Sequence, residues 1–436
     1  MDPSPKTATV TAARNRKAAT LVVVTTAPSS LRSERQPLVE ARWHPPGGGR
    51  LLPIPDLFFK AFGARLRKDD PRFAVLRNAL LDTDPVGDAV AALFGRLGPG
   101  EGRALLDRAL DHGIASLGPD APQALVTLFA EVDHVPSWLD RDAMRLATNT
   151  MLRFGSSGTY ALGSASLMSG YLSRGAVKPL VATGALTRMA RRRLSETGKY
   201  VRDLATSGDL GRFSDGVKTT VRVRVMHSLV RRRLIGSPTW RRDEWGAPIN
   251  QRDMVGTHLE FTVAYIGGLA AMGFTIGKRE RAALMHMWRY LGLLMGIRVD
   301  LVPKTFAEAL ELAWIFNQTE AGPDEDSRAL AAALMTAWSE GLPGRRGGMA
   351  GKLEGRFLSG FARFILGREA SDALGLPNDV FKYAVLAVAP LRMTSELARR
   401  VVPGGTARAI RRGRAVIESE LAAGLEGRAP SYEPEP

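Results

Sequence analysis

The chain contains no cysteine. Disulfides, thiolate metal centres, cysteine-ligated iron–sulfur clusters and cysteine nucleophiles are therefore excluded. Histidine is nearly as scarce: the 436 residues hold six, His44, His112, His134, His227, His258 and His286. Any imidazole site must draw on these. Acidic residues are also short, 44 Asp and Glu against 60 Lys and Arg, which leaves a net charge of +16. No apolar run reaches the roughly 20 residues that span a bilayer. The best candidate, 261–276, is interrupted by Gly267, Gly268 and Gly273 and reads as a buried helix. Alternating strand patterns are rare, confined to 21–26 and 219–225.

What is present is ordinary for a globular protein: 45% hydrophobic and 24% charged residues. Global disorder is excluded. Residues 1–50 are rich in Pro, Ser and Thr, end in Pro45–Gly49, and are expected to be a flexible extension. Arg14, Arg16 and Lys17 precede an apolar stretch that faintly imitates a signal peptide. That stretch is short and Thr-rich, and it lacks a twin arginine, so a cytoplasmic protein is expected, with export the less favoured alternative.

From Leu51 the pattern turns helical, with apolar residues at three- and four-residue spacing between Gly and Pro punctuation. Examples are 103–110 and 325–338, the latter with Leu330, Ala333, Leu334 and Trp338 on one face. Near 303–308 Thr305 is expected as an N-cap, with Glu308 completing a capping box. No linker divides 51–425, which is read as one all-α domain, and 426–436 is expected to be a frayed tail.

Between Ala185 and Trp245 lie fifteen Lys and Arg but six Asp and Glu, so over half the net charge sits in 61 residues. A solvated face, a nucleic-acid footprint and a site for a small anionic group all compete. Aromatics there are few (Tyr200, Phe213, Trp240, Trp245) and not interleaved with the arginine runs, which disfavours nucleic acid. As a helix, 221–234 places Arg224, His227 and Arg231 on one stripe with apolar neighbours. An imidazole with a guanidinium a turn away on either side suits haem: iron on His227, propionates on the arginines. The β-like look of 219–225 is then a wrong-period trap. The alternative, a core or surface histidine beside solvated arginines, stays open.

Upstream, Arg193 and Thr197 share a helical face with Glu196 between them. A guanidinium, a hydroxyl and a carboxyl could form the polar side of an oxygen-binding pocket. A surface Arg193–Glu196 pair is the competing account.

Four pieces in order, 193–197, 221–227, 245–253 and the helices over 257–296, resemble the haem-dependent oxygenase family of latex clearing protein and the mycophenolic acid biosynthesis oxygenase. The resemblance implies a globin-like helical core with added flanking helices and a b-type haem. It implies His227 as proximal iron ligand and Arg224 and Arg231 lining the haem, with Arg193, Glu196 and Thr197 in the distal pocket. The family's lysine before the distal threonine is Glu196 here, which implies no lysine cap. The acidic base of the rubber oxygenases comes from an earlier helix, and 164–186 holds no Asp or Glu, so that role is not carried over. Dioxygen and an apolar, unsaturated substrate, small or polymeric, are the implied partners, with no nucleic acid and no transmembrane segment. A haem protein without turnover and a basic helical scaffold for nucleic acid or membrane are the alternatives.

His286 and His258 lack a metal-ligand pattern and read as packing or supporting residues. His134, beside Glu131 and Asp133, reads as part of a helix junction. The 344–348 segment lacks a phosphate-loop ending. Trp240 and Trp245 read as structural anchors.

Overall fold

The structure, a computed structural model, describes residues 42–44, 51–183, 190–340 and 348–424, with side chains described from Glu196 onward in the helix that begins at Ala190 and up to Ser419 in the last one. The principal helices are α1 (Pro85–Leu97), α2 (Pro99–His112), α3 (Gln123–Val132), α4 (Arg141–Phe154), α5 (156–170), α6 (Arg174–Ala182), α7 (Ala190–Thr206) and α8 (Asp215–Ile235). They continue as α9 (251–271), α10 (Lys278–Leu294), α11 (Phe306–Thr319), α12 (Glu325–Ser339), α13 (Met349–Leu366), α14 (Ala384–Val401) and α15 (Gly405–Gly424). Among the described residues there is no sheet, and one isolated bridge joins Trp43 to Glu320. The fold is all-α, as the periodicity predicts.

The helices begin and end where local chemistry directs. Asp84 caps α1, its carboxylate accepting from the Gly87 N–H, and Pro85 fills the first helical position. Thr305 caps α11 by accepting from the Glu308 N–H at 3.2 Å. The reciprocal half of the expected capping box differs: Glu308 accepts from the Lys304 N–H, one residue earlier. The stretch 219–225 lies inside α8, so its alternation is indeed a wrong-period pattern.

Residues 42–44 correct the expectation of a flexible extension through residue 50. Arg42 is buried and donates to Asp253 at 2.6 Å and to the Trp245 carbonyl at 2.6 Å. Trp43 joins the core around Phe73 and Trp314. A buried guanidinium stays only where a carboxylate compensates its desolvation, and Asp253 does so. The remainder of 1–50 and the 426–436 tail lie outside the described residues.

Two elements cross at van der Waals limits. At Gly413 of α15 an added Cβ would run into the Leu152 carbonyl of α4. At Gly268 of α9 it would meet Ala165 of α5 at 2.7 Å. Small residues here let backbones approach more closely than any side chain allows. The two helices joined at Gly268 each carry a π-turn, Leu162–Leu167 in α5 and Glu260–Ala264 in α9. Such turns are uncommon and frequently mark functional sites.

Candidate functional site

The α7–α8 pair forms an antiparallel hairpin. Its register is fixed at the loop end, where the Thr219 hydroxyl donates to Asp203 at 2.8 Å and the Thr220 hydroxyl reaches the Tyr200 oxygen at 3.5 Å. Lys199 pairs with the same Asp203. Continued along two helices of equal rise, this register sets Thr197 opposite Val223 and the Arg193 backbone level with His227. The sequence separation of Arg193 and His227 thus becomes a common height in the hairpin. The Arg193 side chain lies outside the described residues; Glu196, Thr197 and His227 are half-buried.

Arg224 and Arg231 do not reach out from the stripe. Arg224 is buried and donates to both oxygens of Asp84, at 2.7 and 2.8 Å, and to Glu131 at 2.8 Å. Arg231 is buried against Asp88, the carbonyls of Pro248 and Ile249 and the Ser228 hydroxyl. Carboxylates on and before α1 and at the end of α3 hold both guanidiniums, and the Arg224 Nη1 is buried with no hydrogen-bond partner among the described residues. Such pairs anchor α8, and with it His227, to the α1–α3 layer, because removing either partner leaves a buried charge uncompensated.

Against the hairpin lies the π-turn of α9. Phe261 meets Tyr200 edge-on at 6.3 Å and stacks on Trp288 of α10 at 4.9 Å. Beside it stands Glu260, a residue that sequence reasoning passed over. An added Cβ at Gly170, in the last turn of α5, would collide with its carboxyl, so that glycine makes the room it occupies. The Ser166 hydroxyl donates to the Glu260 carbonyl at 2.7 Å and ties the two π-turns together. The carboxyl itself takes no hydrogen bond or ion pair from the described residues, and burial alone pushes its pKa up to about 8. It nevertheless retains some accessible surface. The available sequence signal was a single acid at the head of the apolar run 261–276.

The other histidines behave as read. His258 is buried edge-on to Trp288, and burial depresses its pKa to about 4. The His286 Nε2 accepts from the Asp140 N–H at 2.9 Å. Glu131 and Asp133, at the end of α3, pair with Arg224 and Arg212. Trp240 and Trp245 pack edge-on at 5.1 Å, and Trp240 Nε1 donates to the Gly246 carbonyl. The 344–347 segment lies outside the described residues.

A donor-set test bears on the implied haem. Among the described residues no three His, Asp or Glu side chains converge as a metal site. One imidazole on an anchored helix, in a chain without thiols, fits an iron that brings its own equatorial ligands. His227 meets that requirement. Of the two arginines of the stripe, Arg224 keeps a buried Nη1 with no hydrogen-bond partner among the described residues.

The described residues form an all-α bundle in which His227 sits half-buried on α8. The family described as ER-bound oxygenase mpaB/B'/Rubber oxygenase, catalytic domain, matches residues 152–400, and the chain belongs to that family. It is accordingly an oxidoreductase. The rubber oxygenase of Streptomyces sp. (strain K30) is 23% identical over 290 residues, covering 65% of this chain and 66% of that protein, just under two thirds of its length. A solved structure of latex clearing protein in the closed state shares the fold with a TM-score of 0.56 at 20% identity, covering 81% of this chain and 94% of that one. The matched segment contains all six candidate residues of the sequence reading and Glu260 as well.

Proposed function

We propose that the chain is a cytoplasmic haem b-dependent oxygenase that acts with dioxygen on an apolar, unsaturated compound, with His227 as the iron ligand. The observation that supports this reading is the oxygenase-family match over residues 152–400, within which α7 and α8 pair as a hairpin. Haem, when bound, would supply the binding and activation of dioxygen.

The chain's own residues would do the rest. His227 would hold the iron from α8, kept in place by the Arg224–Asp84 and Arg231–Asp88 pairs. The Thr197 hydroxyl can donate to an oxygen atom on the α7 side, with Arg193 and Glu196 as its polar neighbours. Glu260, neutral at pH 7 because its pKa is near 8, can donate the Oε–H proton and take it back. Apolar walls from α5 and α9 would exclude water and receive a hydrocarbon substrate.

An absorption spectrum of purified protein, reduced and then exposed to carbon monoxide, tests the proposal. A Soret band that shifts with carbon monoxide and vanishes in His227→Ala is the expected result. Colourless protein from cells supplied with iron and porphyrin precursor would refute it. Oxygen uptake on adding an apolar alkene separates turnover from haem storage.

A further inference from the structure

The helix α14 is built inside out. Three of its four charged side chains, Arg392, Glu396 and Arg399, are buried or half-buried against the protein, and Arg400 is exposed at its end. Glu396 is buried and accepts from Arg153 of α4 and Arg399 at 3.0 Å each. The Arg392 guanidinium lies over the Phe274 ring at 4.7 Å, and Arg400 donates to the Thr275 carbonyl at 3.2 Å. The outward face is mostly apolar: Leu386, Pro390, Leu391, Met393, Leu397 and Val401 recur at helical spacing, with Thr394 and Ser395 the exposed polar side chains among them. Leu391 is 74% exposed, Leu397 64% and Val401 73%. Val380 and Tyr383 extend the stripe before the helix begins. A surface helix of a globular protein ordinarily shows the opposite arrangement, and a contiguous apolar patch of this kind marks an interaction surface.

Charge decides what covers it. Residues 380–419 carry eight Lys and Arg and two Glu. Arg408, Arg411 and Arg412 stand exposed on α15, the helix that follows α14 after the short turn at Gly404. At the other end of the stripe a groove of about 260 Å³ is lined by Phe364, Arg368, Asn378, Lys382 and Tyr383, with Arg363 held back by Asp372. A second copy of the chain would bring the same positive surface to this one. Residues 1–41, with six Lys and Arg against three acids, are also basic. Residues 425–436 are acidic, but Leu425 and Tyr432 are their only large apolar side chains, too few to cover the stripe.

We propose that the outward face of α14 docks on an anionic lipid bilayer, its leucines entering the acyl boundary while the flanking arginines and lysines meet headgroup phosphates. A helix lying in the interface gains from buried apolar area and from attraction to anionic lipid together, and long basic side chains reach the phosphates while their stems stay apolar. Among the described residues no helix is long and apolar enough to cross a membrane. The inference stands apart from the cofactor reading and needs no haem. A lipid surface would also be a reservoir for apolar compounds.

The test is co-sedimentation of the full chain with vesicles of phosphatidylcholine alone or mixed with phosphatidylglycerol. Binding is expected to the mixed vesicles and to weaken as salt rises. Leu391→Glu combined with Leu397→Glu should lower it at least about tenfold, since two inserted leucines are replaced by charge. Both positions are exposed, so circular dichroism should match the parent. Leu391→Trp gives a second readout, a blue-shifted emission on adding the mixed vesicles. Equal sedimentation of the double variant and the parent would overturn the proposal. So would a parent dimer that the double variant turns into monomer without any vesicle binding, or vesicle binding confined to a chain ending at Gly424.

Discussion

Glu260 shows how much a single side chain depends on its surroundings. An unfolded glutamate titrates near 4.5, but the folded one does so near 8. The folded state therefore holds a proton that the unfolded state has lost between those values, and stability falls as pH rises through that window, by up to about 1.4 kcal/mol per pH unit. His258 runs the other way. Its pKa is lowered from 6.5 to about 4, so its contribution is lost as pH falls from 6.5 toward 4. The two slopes oppose each other between about 4.5 and 6.5 and leave Glu260 alone above that. Apoprotein melting temperature should thus change little over the lower range and decline from pH 6.5 to 8. Glu260→Gln should remove the decline, and an unchanged slope in the variant would show that this carboxyl is solvated. In activity, the same variant should lose whatever limb of the pH–rate profile lies near 8.

Among elements, α8 carries the most consequence. Its buried arginines pair with Asp84, Glu131 and Asp88, and these pairs hold the helix. Arg224→Ala leaves Asp84 buried without its cation, and urea denaturation should show a loss of about 3–5 kcal/mol. Replacing Arg224 and Asp84 together by apolar residues should recover much of that loss. If Arg224→Ala costs under about 1 kcal/mol, the pair does not anchor the helix. The crossing of α15 over α4 is equally specific. Gly413→Val has no room beside the Leu152 carbonyl and should detach or shift α15, seen as increased amide exchange across 405–419 with α8 unaffected.

Across the whole molecule, charge is partitioned between interior pairing and surface excess. Arg153 of α4 joins Glu280 at the start of α10 to Glu396 of α14, and donates to the Thr275 carbonyl at 3.1 Å. One buried cation thereby ties three distant segments. Arg153→Met should lower stability by about 3–5 kcal/mol and loosen α14 first, measured by amide exchange of its backbone. The excess of positive charge is left to the surface, where α14 and α15 present it around an apolar stripe. A protein with this distribution is predisposed to anionic partners, and its association with them should weaken with ionic strength.

The all-α class, the segmentation by Gly and Pro, the helical nature of 219–225 and the family were legible in the linear chain, because periodicity and capping are local properties. The α7–α8 hairpin is local too, its loop end fixed by Asp203 with Thr219 and Tyr200 with Thr220. Tertiary packing alone decided the partners of Arg224 and Arg231, since nothing near them in sequence reveals Asp84, Asp88 or Glu131. It also decided the docking of residues 42–44, whose long-range partner is Asp253. And it decided the state of Glu260: a carboxyl's proton affinity follows from how much water its neighbours exclude, and those neighbours come from α5, ninety residues earlier.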